Sequence, residues 1–89
     1  MTQLIITDIR KSCYDRGYDL ITAVFLKSGG QHPGNHISPA EKGLLVLESA
    51  TAERENPVIG VNPGDQYMRI RARLGHGLKV GEEIQLDGI

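Results

Sequence analysis

Tryptophan is absent from this chain of 89 residues, and phenylalanine and cysteine occur once each. Phe25, Tyr14, Tyr18 and Tyr67 are the whole aromatic supply, which leaves little from which to assemble the stacking platform of a single-strand nucleic-acid binder. A lone Cys13 excludes the disulfide frameworks of small secreted proteins and suits a reducing compartment. No single sign of charge dominates. Ten basic residues face eleven acidic ones, a net of −1, so long-range steering toward nucleic acid, anionic membrane or polycations is not the expected mode of action. Long apolar runs are missing too, and the opening Met1-Thr2-Gln3-Leu4-Ile5-Ile6-Thr7-Asp8 offers neither a basic leader nor a membrane span. The expected setting is the cytoplasm, with no membrane association.

Phosphate loops are equally absent, since Ser28-Gly29-Gly30-Gln31 lacks the Gly-Lys-Ser/Thr ending of a P-loop and the spacing of a dinucleotide fingerprint. No cofactor or metal is expected. A chain of this length holds one hydrophobic core, hence one domain over residues 1–89.

What is present is strand-and-turn punctuation. Short apolar runs alternate with Gly, Pro, Asn and Asp, giving candidate strands at Gln3 to Arg10, Tyr18 to Lys27, Gly43 to Glu48, Val58 to Val61, Tyr67 to Leu74 and Glu82 to Asp87. The second is apolar on both faces and reads as a central strand. The fifth alternates strictly, placing Met68, Ile70, Ala72 and Leu74 on one face and Tyr67, Arg69, Arg71 and Arg73 on the other. Asp15-Arg16-Gly17 and Asn62-Pro63-Gly64-Asp65 carry turn chemistry. Residues 28–39 form a long loop without periodicity, of the kind that is usually functional or mobile. It ends in Ser38-Pro39-Ala40-Glu41, the pattern of a capping box with proline at the first helical position.

The fold class expected is all-β, a small six-stranded barrel or sandwich with one short helical turn near Ser38. The alternative is α+β, with a helix from about Pro39 to Glu55. Gly43 argues for the strand, because a glycine one turn into a helix costs about 1 kcal/mol relative to alanine.

Candidate chemistry is sparse. Arg69, Arg71 and Arg73 project from one strand face and could grip phosphates. If Tyr67 to Leu74 and Val80 to Asp87 form a hairpin, however, one register sets Arg73 against Glu83 and Arg69 against Asp87, and another sets Arg71 against Glu83. Such cross-strand pairs, contributing about 0.2 to 1 kcal/mol each, account for the row without a ligand. His32 and His36 flank Pro33-Gly34-Asn35, which disfavours the helix that would put both rings on one face, so uncommitted loop histidines are expected rather than metal ligands. Cys13 lies among Arg10, Lys11 and Arg16, cations that favour thiolate. It has no histidine nearby in sequence to complete a dyad, although folding could deliver one.

The segment Arg73-Leu74-Gly75-His76-Gly77-Leu78-Lys79-Val80-Gly81-Glu82-Glu83-Ile84-Gln85-Leu86 locally resembles the opening hairpin of carbon-storage-regulator RNA-binding proteins. It also resembles strands of the second-domain barrel of translational GTPases. The resemblance implies a terminal hairpin and no function. The functional expectation is therefore a non-enzymatic interaction or assembly protein, binding a protein partner or itself, because sheet edges offer main-chain groups to another chain. Nucleic-acid or phosphate binding through the arginine-bearing strand is the alternative, and an enzyme using Cys13 comes third.

Overall fold

The computed structural model describes residues 2–26, 35–37 and 42–86. Side chains are described throughout these except at 2, 12–15 and 35–37. The chain is mostly β, a curled sheet that reaches a half-barrel. Its strands are β1 (Thr2–Asp15), β2 (Tyr18–Phe25), β3 (Asn35–Ile37), β4 (Leu45–Thr51), β5 (Gln66–Arg73) and β6 (Glu83–Leu86). Five of them, in the order β6-β1-β2-β5-β4, are antiparallel neighbours, and three-residue β3 adds in parallel to the far side of β6.

Alternation explains which side chains are inside. Leu4, Ile6, Ile21, Ala23, Met68, Ile70, Ala72, Ile84 and Leu86 project from one face and form the main core, with Leu78 added from the β5–β6 connection. Leu4-Ile6 and Ile9 break strict alternation, and the register between β1 and β2 shifts between Ile6 and Asp8 accordingly. Thr7 is the extra residue of a β-bulge, which turns Ile9 inward and Asp8 and Arg10 outward. Without it Asp8 would enter the core.

The second face is half covered. The β4–β5 connection folds back over it, closed at its base by Ala52 N–H donating to Asp65 O at 2.9 Å and Gly64 N–H donating to Ala52 O at 2.8 Å. Ala52, Val61 and Tyr67 make a second small core there, against Val24, Ala50 and Val58. The double apolarity of β2 is thereby used, and β2 is central, between β1 and β5.

Two expectations and one alternative need correcting. Val58 to Val61 is a tight turn with a single bridge and not a strand. Gly60 sits at φ +79° and Val61 N–H returns to Val58 O at 3.1 Å, a closure that leaves no room for an extended run. The β5–β6 hairpin does not exist either, because β5 lies between β2 and β4 and β6 lies between β1 and β3. A helix from Pro39 to Glu55 is excluded by β4. The strand reading of that stretch holds, although Leu45 is about half exposed at 48%, as suits a border strand rather than a buried one. The capping box at Ser38 to Glu41 lies outside the described residues.

Gly60 is where the covering loop meets the sheet. A β-carbon there would come within 2.9 Å of the Thr7 side chain and 3.0 Å of its carbonyl, at a φ that already favours glycine. Gly64 has a similar φ of +92° but open space around it. Gly64→Ala is expected to cost about 1 kcal/mol from the backbone alone, and Gly60→Ala about 2 to 4 kcal/mol because overpacking adds to strain. Urea unfolding of both variants measures the difference, and equal effects would show that the loop is not seated on the bulge.

Candidate functional site

The outward face of the sheet is ordered in cross-strand rows by the register. One row runs Arg10, Leu20, Arg71, Leu45 and the next runs Asp8, Thr22, Arg69, Glu48. Tyr18 pairs with Arg73 on the outer side of the first row, while Val24, Tyr67 and Ala50 form the row beneath the covering loop. Both carboxylates of the Arg69 row are paired: Glu48 Oε2 lies 3.8 Å from Arg69 Nε, and Asp8 reaches Arg10 Nε of the neighbouring row at 3.5 Å. These half-exposed pairs contribute little to stability.

Arg71 and Arg73 are different. The expected partners Glu83 and Asp87 are not beside the row, since β6 lies across the sheet. Asp87 is itself outside the described residues. Arg71 instead faces Leu20 on one side and Leu45 on the other. Its guanidinium carbon sits 4.2 Å from the centre of the Tyr18 ring, a cation–π stack that fixes its plane. Its Nε is buried and has no hydrogen-bond partner among the described residues. Arg69 Nε is likewise unbonded, and its guanidinium lies 5.9 Å from the Tyr67 ring, near the limit of such contacts.

Cavities are small. A cleft of about 70 Å³ between Ile59 of the covering loop and Asp8, Arg10, Thr22 and Arg69, and a second of about 120 Å³ between Lys42, Arg73 and His76, fall below the roughly 300 to 1,000 Å³ of small-molecule sites. Binding through this face would be surface binding.

A buried polar contact lies on the core side. Asp19 occupies an inward position on β2, level with Ala72, and is 1% exposed. His76 Nε2 lies 2.8 Å from its Oδ2, and Leu78 N–H donates to His76 Nδ1 at 2.8 Å. Because Nδ1 accepts, the ring proton is on Nε2 and is donated to the carboxylate. Lys11 Nζ, exposed, approaches the same oxygen at 3.4 Å, and Lys42 Nζ donates to His76 O at 2.8 Å. Both ring nitrogens are thus spent inside the fold, which removes His76 as a base for Cys13 or as a third ligand beside the loop histidines. Alternation had placed a carboxylate among inward side chains, and that was the available signal for a buried partner.

His36 lies on β3, level with Gln85. Its side chain, His32 and the side chain of Cys13 fall outside what is described. Among the described residues no group of three or more His, Cys, Asp or Glu is placed to hold a metal ion, and no helix is long and apolar enough to cross a membrane. Comparison with protein families, curated proteins and solved structures finds no match for this chain.

Removing one partner from the Asp19–His76 contact takes a buried hydrogen bond from the other. His76→Ala and Asp19→Ala are each expected to cost about 2 to 4 kcal/mol. In a double-mutant cycle by urea unfolding, the two should couple by at least about 1 kcal/mol. Additive losses would mean that the contact does not hold the connection in place.

Proposed function

We propose that the protein is a non-enzymatic assembly module that pairs the outer edge of β4 with a strand of another chain, a second copy being the simplest occupant. The observation that supports this reading is the open border: among the described residues β4 has a neighbour only in β5. A border strand presents unpaired N–H and C=O groups, and natural sheets usually blunt such edges with lysine, proline or a bulge. Leu45-Val46-Leu47-Glu48-Ser49-Ala50-Thr51 carries no lysine or proline, and its devices are the single charge of Glu48 and the register shift between Val46 and Glu48. That bulge narrows the registers an incoming strand can adopt and so favours a specific partner over indiscriminate pairing.

Self-association has a constraint of its own. An antiparallel pair of β4 strands centred on Glu48 would oppose two like charges, which is destabilising. Centring on Leu47 or Ser49 avoids this. A cytoplasmic, homo-oligomeric protein is part of the same proposal, and the lone Cys13 suits it.

The test is size-exclusion chromatography with light scattering on the pure protein and on Ser49→Lys. Ser49 is exposed, so the lysine should change stability by no more than about 0.5 kcal/mol while placing a charge on the edge. The wild-type protein is expected to form a discrete oligomer that Ser49→Lys dissociates. A wild-type monomer, or an oligomer indifferent to the change, refutes the β4 edge as the self-pairing surface.

A further inference from the structure

The open part of the arginine face carries a second inference, independent of the β4 edge. We infer that it binds the phosphodiester backbone of single-stranded nucleic acid, with Arg71 as the anchor, Arg73 as the second phosphate contact, and Tyr18 and Leu20 as apolar ground for the bases.

Three observations lead there. First, charge in the rows around Arg69 and Arg71 departs from the near-neutral whole: Arg10, Arg69, Arg71 and Arg73 share them with only Asp8 and Glu48, while Glu83 of the same face lies across the sheet on β6. Both carboxylates are spent on Arg10 and Arg69. The excess is Arg71 and Arg73, neither of whose side chains forms an ion pair or hydrogen bond among the described residues.

Second, Arg71 is pre-organised. Stacking on Tyr18 at 4.2 Å fixes its guanidinium plane, and a planar fork held in place loses less entropy when it takes an oxyanion.

Third, the spacing and the ground between the cations fit a strand of nucleotides. Arg71 and Arg73 are two residues apart on β5, about 7 Å along the strand, so they can take successive phosphates of one extended backbone. Half-buried Tyr18 and Leu20 lie beside them, and exposed Leu45 continues the row. Apolar and aromatic surface between cations accommodates unstacked bases, which a duplex keeps inside. The paucity of rings limits base selectivity, so recognition rests on the backbone.

The test is fluorescence anisotropy with short labelled single-stranded DNA and RNA and the matching duplex, at about 50 and about 200 mM salt. The wild-type protein is expected to bind the single strands more tightly than the duplex, and more weakly as salt rises. Arg71→Ala should weaken binding at least about tenfold and lower the salt slope by about one unit. Arg71→Lys should not restore it, because a point charge lacks the stacked fork. Arg73→Ala should give a smaller loss, and it keeps the inference testable should Arg71→Ala prove unfolded by circular dichroism. No binding at low salt overturns the inference. So does equal affinity for duplex, equal displacement by poly-glutamate, or affinity that neither arginine variant changes.

Discussion

A carboxylate in a row of core side chains is the constraint around which much of this small fold is arranged. Asp19 follows the inward phase of Ile21 and Ala23 on the central strand, so its charge is taken from water and must be met by hydrogen bonds. His76 meets it from the β5–β6 connection. That connection has to reach across β2 and β1, because β5 and β6 are not neighbours. Anchoring its midpoint on Asp19 brings Leu78 into the core two residues later and hands the chain to β1, where Gly81 N–H donates to Ile6 O at 2.7 Å. One polar contact thereby fixes a crossing, a core residue and the entry to the last strand.

The two faces of the sheet divide the remaining work. The buried side chains of the inward face are apolar apart from Asp19, whereas the outward face changes character row by row, from the apolar patch under the covering loop, through the Arg69 row with its paired carboxylates, to the Arg71 row without any. The Thr7 bulge sets where that change occurs on β1, since it decides that Asp8 and Arg10 face outward. Gly60, close against Thr7, sets how far the covering loop extends. Polar residues beyond that limit remain open to solvent and to partners.

Much of the strand content was legible in the sequence because alternation is local: the inward and outward sets of β5 and the two-sided apolarity of β2 follow from residue order, although Leu74, expected inward, lies past the end of β5 and is half exposed. Pairing was not, because alternation fixes which face a residue occupies and says nothing about which strand lies beside it. The arginine row was therefore recognised as a face but assigned carboxylate neighbours that lie across the sheet. Val58 to Val61 looked like a strand by composition, yet Pro57, Gly60 and Pro63 confine it to a turn. Nothing beside His76 in the sequence marks it as buried. Its partner is 57 residues away, and the clue was a misplaced aspartate, not any motif around the histidine.

The position of β2 also has a consequence in time. β1 and β2 are joined by the tight turn at Arg16-Gly17, but the other flank of β2 is closed by β5, the fifth strand in the chain. Non-local pairing of this sort is slow, with sheet-rich domains folding in about milliseconds to seconds. As the polypeptide is synthesised, the most apolar strand must wait with one border open until Gln66–Arg73 emerges. The chain's greatest exposure to misassembly is therefore expected before it is complete, at the border of β2 that the finished protein hides.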